Sequence, residues 1–250
     1  VRRFKLEIVQ LKPILGMVNE NFERILGEID DGIKLGADLI CFPDTALSGW
    51  ELSSLLKEVL IEKDSEKWEV LKSRSKRISI VIGFLEREKD NYFKSVSYLE
   101  DGKVLYIHKR LFTDHESIPE DNKEFHTKFG NVMLLTYADL TDPRTVFKSK
   151  EHIDMIIVPS AVYAEGMDEL GENISSVEKF KLLCKALSIR FHSIVIAVNR
   201  VGFEDGYGFF GASSVMNSEG RVIYSLQKFS QARAILHIDL DSRSFKAEPL

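Results

Sequence analysis

Gly36-Ala37-Asp38-Leu39-Ile40-Cys41-Phe42-Pro43-Asp44-Thr45-Ala46-Leu47-Ser48-Gly49-Trp50 passes from a helix stop through a buried strand into a polar turn. Leu39–Phe42 is a short continuous apolar run, the pattern of a strand covered on both faces. Pro43 cannot donate to a ladder and ends it. Gly36 suits the stop of the preceding helix: over Asn19–Leu35 the residues Phe22, Ile25, Leu26, Ile29 and Ile33 recur at helical spacing. Further upstream, Phe4–Leu11 alternates through Leu6, Ile8 and Gln10 as a first strand.

The same grammar continues downstream. The pattern predicts a helix at Ser65–Arg77 and strands at Ile78–Leu85, Tyr92–Leu99 and Lys103–His108. The last two are joined by Glu100-Asp101-Gly102, a hairpin turn. Asn131–Ala138 and Met155–Pro159 read as strands, and Val177, Phe180, Cys184, Leu187 and Phe191 lie on one helix face. Strands follow at Ser193–Val198, Gly211–Asn217, Val222–Ser225 and Ala234–Asp239. Hairpins demand antiparallel pairs, so two mixed sheets covered by outer helices fit better than one parallel doubly wound sheet.

Composition narrows the classes. The 250 residues suit one α/β domain, 1–250, and 44% hydrophobic content is ample for its core. A net charge of −5 provides no cationic field to recruit nucleic acid or anionic lipid. No apolar run is long enough for a membrane helix, and two cysteines make no disulfide framework, so a cytoplasmic location is expected. The histidines lack metal-ligand spacing, so neither a metal nor a cofactor is expected.

Three stretches carry a resemblance. Gly36–Trp50 is similar to G-A-D-L-[IV]-x-F-P-E-x-x-L-[ST]-G-[YW], with Asp44 in place of the glutamate. Gly102–Lys109 resembles G-x-v-x-x-x-x-K, and Phe129–Pro143 resembles F-G-x-[IV]-x-[LV]-x-I-C-x-D-[LI]-x-x-P without a gap, placing Tyr137 at the cysteine. Val158-Pro159-Ser160-Ala161, Ala197-Val198-Asn199-Arg200-Val201-Gly202 and Phe210-Gly211 agree in order. The chain thereby resembles the nitrilase (carbon–nitrogen hydrolase) superfamily.

The resemblance implies an αββα sandwich, paired across helices into a homo-oligomer. It also implies a site built on a glutamate base, a lysine that stabilises developing charge and a cysteine nucleophile. Asp44, Lys109 and Tyr137 occupy those positions, and Glu120 matches a second family glutamate by spacing, with Glu116 as the alternative. Tyrosine has a pKa near 10 and a bulky, weakly nucleophilic oxygen, so Tyr137 is expected to fill the pocket rather than attack. Asp44 and Lys109 are expected within ion-pair reach, either as a buried structural pair or as ligand-binding groups. Cys41 and Cys184 read as core residues. The function expected is a homologue without family hydrolase activity, serving as a partner subunit or as a binder of an amide- or carboxylate-like molecule. The alternative is an amidase-type enzyme with a non-standard nucleophile.

Overall fold

The computed structural model describes all residues except 1, 51, 63, 64, 113–116, 120, 121, 143, 146, 150, 172, 243, 249 and 250. Among the described residues, a nine-stranded sheet runs in the order β19 (Ser244–Glu248), β18 (Ala232–Asp239), β1 (Arg3–Gln10), β2 (Leu39–Cys41), β4 (Ser79–Glu88), β5 (Asn91–Glu100), β6 (Lys103–Phe112), β7 (Ser117–Pro119). β3 (Ile61–Glu62) also pairs with β4. A second sheet runs β17 (Val222–Ser225), β16 (Ser214–Met216), β13 (Ile194–Asn199), β12 (Met155–Ser160), β10 (Gly130–Leu134), β9 (Phe125–Thr127). Two small pairs complete the strands: β8 (Asn122–Lys123) with β11 (Phe147–Lys148), and β14 (Val201–Glu204) with β15 (Tyr207–Phe210). The helices are α1 (Val18–Leu35), α2 (Glu66–Ser75), α3 (Tyr137–Thr141) and α4 (Ser175–Phe191), with a 3-10 turn at Ser53–Glu58.

Strand alternation sorts the apolar residues into layers. Leu6, Ile8, Cys41, Val81 and Tyr98 of the first sheet meet Val132, Ile157, Ile196 and Val215 of the second in one core. On the outer face of the first sheet, Ile40, Ile80, Ile82 and Phe84 pack on Phe22, Ile25 and Ile29 of α1 and Trp68 of α2. On the outer face of the second, Met133, Ile156 and Val195 pack on Val177, Phe180, Cys184 and Leu187 of α4. The result is the expected helix–sheet–sheet–helix sandwich. Cys41 and Cys184 are both fully buried in these cores, and burial pushes both thiols well above the ordinary range.

α1 ends as its sequence indicates. Gly36 takes φ +74°, and its N–H reaches the carbonyls of Gly32 and Ile33. Beneath α1 lies Glu7 of β1, fully buried, with both carboxyl oxygens lacking a hydrogen-bond partner. Arg233 stands 3.6 Å away and also serves Glu28 and Asp31 of α1. Burial raises the Glu7 carboxyl to about 7, against the pull of Arg233 and helped by Glu28 and Asp31.

A carboxyl raised on folding favours the native state below its unfolded pKa, and that advantage is lost as pH rises through the folded one. The window runs from about 4.3 in the unfolded chain to about 7. Glu7→Gln is therefore expected to come close to wild type at pH 4.5 and to be more stable at pH 8 by roughly 3 kcal/mol. Urea midpoints at the two pH values check this. Equal midpoints at pH 8 would show that Glu7 is not ionised at a cost there.

Candidate functional site

Asp44 follows β2, beyond Pro43, and is 5% exposed. The turn that holds it is tight: Thr45 takes φ +49°, uncommon for a β-branched residue, and its N–H donates to Asp44 Oδ1 at 2.8 Å. β4 grips the same turn from below, with Gly83 N–H donating to Pro43 O and Ala46 N–H to Gly83 O. Burial raises the Asp44 carboxyl to about 6, opposed by Lys94 and the Thr45 N–H, raised further by Asp139 and lowered by Arg200.

Lys94 and Arg110 are directly paired across β5 and β6, on the face that looks into the sandwich. The Lys94 ammonium lies 3.6 Å from the centroid of Trp50, and both residues are half-buried. The Trp50 N–H is held by Glu204 Oε2 at 2.8 Å. Arg110 is buried and engaged by Asp139 Oδ1 at 2.5 Å and Asp142 Oδ2 at 2.8 Å. His108, one pleat away, contacts Asp139 Oδ2 through Nε2 at 2.8 Å. An ionised carboxylate only accepts, so Nε2 carries the proton. Burial opposes ionisation of Asp139, but the His108 hydrogen bond, the His108 and Arg110 charges and the Thr136 N–H outweigh it and hold the carboxyl at about 2.

Arg200, just past β13, is fully buried. Its Nη2 is paired with Glu204 Oε1, and its guanidinium lies 4.2 Å over the ring of Phe209. In the described residues Arg200 Nε and Nη1, Thr45 Oγ1 and His108 Nδ1 are all buried without a hydrogen-bond partner. Such groups are rare in folded proteins; here they lie on Thr45 beside Asp44, on His108 in contact with Asp139, and on Arg200, whose charge acts on Asp44.

Two sequence expectations are corrected. Lys109 is not beside Asp44. It occupies the opposite face of the sheet, where its ammonium bonds Glu86 at 2.8 Å and Glu88 at 2.9 Å. The physical reason is a bulge: Tyr98 pairs with Tyr106 but Leu99 pairs with Val104, so Leu105 is the extra residue and reverses the parity of the strand. The cations that β5 and β6 present on the inner face are Lys94 and Arg110. Tyr137 is not a strand residue either. β10 ends at Leu134, and Thr136 opens α3, its N–H and hydroxyl both donating to Asp139 Oδ2 at 2.7 and 2.8 Å.

Two residues apart on a helix point to nearly opposite sides, not to one. Asp139 therefore faces β6, while the Tyr137 ring packs edge-on to Phe180 of α4 at 5.7 Å. Burial, then Tyr163 and Glu165, raise the Tyr137 phenol above its ordinary value. Glu120 and Glu116 lie outside the described residues. Sequence reading missed Lys94, His108, Arg110, Arg200 and Glu204 as site residues. Thr136-x-x-Asp139, a capping-box spacing, was the available signal that the chain turns helical at Tyr137.

Comparison with known proteins agrees with this architecture. The carbon-nitrogen hydrolase family matches residues 5–246, and the chain belongs to that family. It is 24% identical to a glutamine-dependent NAD(+) synthetase of Acinetobacter baylyi, over 98% of this chain and 46% of that protein. The chain thus spans about half the length of such relatives. Its fold superposes on the Acinetobacter baumannii glutamine-dependent NAD+ synthetase with a TM-score of 0.80 at 20% identity, covering 99% of this chain and 48% of that one. It also superposes on a nitrilase-superfamily amidase of Nesterenkonia with a TM-score of 0.75 at 16% identity, covering 96% and 92%; that amidase carries the acetamide moiety of fluoroacetamide on its active-site cysteine.

Among the described residues, no helix is long and apolar enough to cross a membrane, and no group of three or more His, Cys, Asp or Glu is placed to hold a metal ion.

Proposed function

We propose that this chain does not hydrolyse carbon–nitrogen bonds through a thiol, and that its site binds a small polar molecule instead. The observation that carries this reading is the position of the thiols. The sequence has two cysteines, both buried in apolar cores with their thiols pushed up, while Tyr137 stands where the family motif has cysteine. A thiolate is the reactive form, and burial without a cation withholds it. The test is ammonia release from short amides, which this reading expects at background. Asp44, with a carboxyl at about 6, suits proton transfer near neutral pH and would be the base if turnover were found.

The same reading includes self-association. Leu182 and Ile189 are 67% and 53% exposed, and with Ala186 they form a stripe on α4 opposite Phe180, Cys184 and Leu187. A second copy of α4 would cover it. Light scattering is expected to give a dimer or larger mass at micromolar concentration, and Leu182→Glu with Ile189→Glu is expected to reduce it to the monomer. A monomer mass for the wild type would contradict self-association.

A further inference from the structure

We propose a second binding site, separate from Asp44, on the outer face of the first sheet: a cavity between α2 and β6 that takes an amphipathic carboxylate, its chain against Trp68, Val104, Leu105 and Ile107 and its head among Lys72, Lys76 and Lys103. The bulge at Leu105 shapes this cavity. In a regular strand, residues three apart point to opposite faces. Here Val104 and Ile107 both pack on the outer core shared with Trp68, while Tyr106 packs on the inner one. The extra residue brings the two apolar side chains to one face. With Trp68, Lys72 and Glu86, the run Gly102–Ile107 lines a cavity of about 510 Å³, a size suited to a small molecule. β7 pairs with β6 only from Arg110 to Phe112, beyond the residues that line the cavity.

The lining sets the ligand. Trp68 is buried and edge-on to Phe84, with 4.7 Å between ring centroids, whereas Leu105 is 38% exposed, a large apolar side chain open to solvent. At one end Glu86 is buried, and its carboxylate accepts from Lys109 Nζ at 2.8 Å and Ser95 Oγ at 2.9 Å, so its charge is answered within the fold. At the other end ammonium groups gather around the Gly102 turn. Lys72 and Lys103 line the cavity, and Lys76 lies against Gly102, where a Cβ would stand 3.0 Å from Lys76 Cε. Lys72 bonds Glu69 at 2.7 Å in a solvent-facing pair of the kind that contributes little. Lys76 and Lys103 are exposed, and among the described residues neither is in an ion pair. Of the carboxylates at this turn, Glu100 is buried and bonded to the Ser79 and Tyr98 hydroxyls and the Lys128 N–H, which leaves Asp101 and Glu69 exposed to offset three lysines. A carboxylate on an apolar chain complements both parts: the chain covers Leu105 and the aromatic wall, and the head meets the lysines.

The experiment is a calorimetric titration of the full chain with octanoate, repeated in Trp50→Phe and followed there by the emission of Trp68, the one tryptophan that then remains. A single saturable site that shifts Trp68 emission is expected. Acetate, which has the head alone, and 1-octanol, which has the chain alone, are each expected to bind about tenfold more weakly or worse. Lys76→Glu with Lys103→Glu, both at exposed positions, is expected to weaken octanoate by about tenfold and to leave 1-octanol unchanged. Leu105→Glu is expected to weaken both. Absence of saturable octanoate binding, equal affinity for octanoate and 1-octanol, or an unchanged octanoate affinity in the Lys76, Lys103 variant would overturn the proposal. Octanoate binding that leaves Trp68 emission unmoved would overturn it as well, by placing the ligand elsewhere on the chain.

Discussion

Asp139→Ala is expected to cost about 3–5 kcal/mol of folding stability, the range for removing one partner of a buried ion pair. Asp139 is 1% exposed and is the hub of the site, receiving Arg110 Nη1, His108 Nε2, Thr136 N–H and the Thr136 hydroxyl. Its removal takes a carboxylate partner from buried Arg110 and strips the first turn of α3 of its cap. Asp139→Asn keeps the shape and one acceptor, and is expected to cost less than the alanine. Chemical denaturation of the three proteins checks this, and a loss for Asp139→Ala of under 1 kcal/mol would show that the cluster is not held together by this carboxylate.

Gly83→Ala is expected to be nearly as damaging, about 3 kcal/mol, for a steric reason. A Cβ on Gly83 would stand 2.5 Å from Asp44 Cα and 2.8 Å from Pro43 O and Thr45 N. All three are backbone atoms of the turn that presents Asp44, and they cannot rotate away as a side chain would. β4 and the turn must separate, with loss of the Gly83–Pro43 and Ala46–Gly83 hydrogen bonds. The variant is therefore expected to lose stability sharply. A variant of native stability, by chemical denaturation, would mean the turn is looser than its contacts indicate.

These two residues also show how far the sequence could be read. The αββα layering was legible because Leu6, Ile8, Ile80, Ile82 and Phe84 alternate cleanly and Phe22, Ile25 and Ile29 keep helical spacing. Asp44 was legible because Pro43 ends its strand. Arg110 was not, because the bulge at Leu105 reverses the parity of β6 and nothing in Val104-Leu105-Tyr106-Ile107 marks the extra residue. A motif match then favoured Lys109, which instead satisfies buried Glu86 on the far face. The turn at Tyr137 was masked by the apolar run Val132–Leu135, which invites an overlong strand although Thr136 and Asp139 supply the cap. Arg200 and Glu204 pair only four residues apart, but Glu204 also holds the Trp50 N–H, a long-range contact without a local signature.

The central proposal, that this chain does not hydrolyse carbon–nitrogen bonds, is tested most directly by ammonia release from a panel of short amides. Wild type, Tyr137→Phe, Tyr137→Cys and Tyr137→Cys with Asp44→Glu are compared at pH 6 to 8. The account predicts background release by wild type and Tyr137→Phe alike, and poor release by Tyr137→Cys, whose base would still be one methylene short. Sustained turnover by wild type, abolished in Tyr137→Phe, would contradict it and assign the chemistry to the phenol.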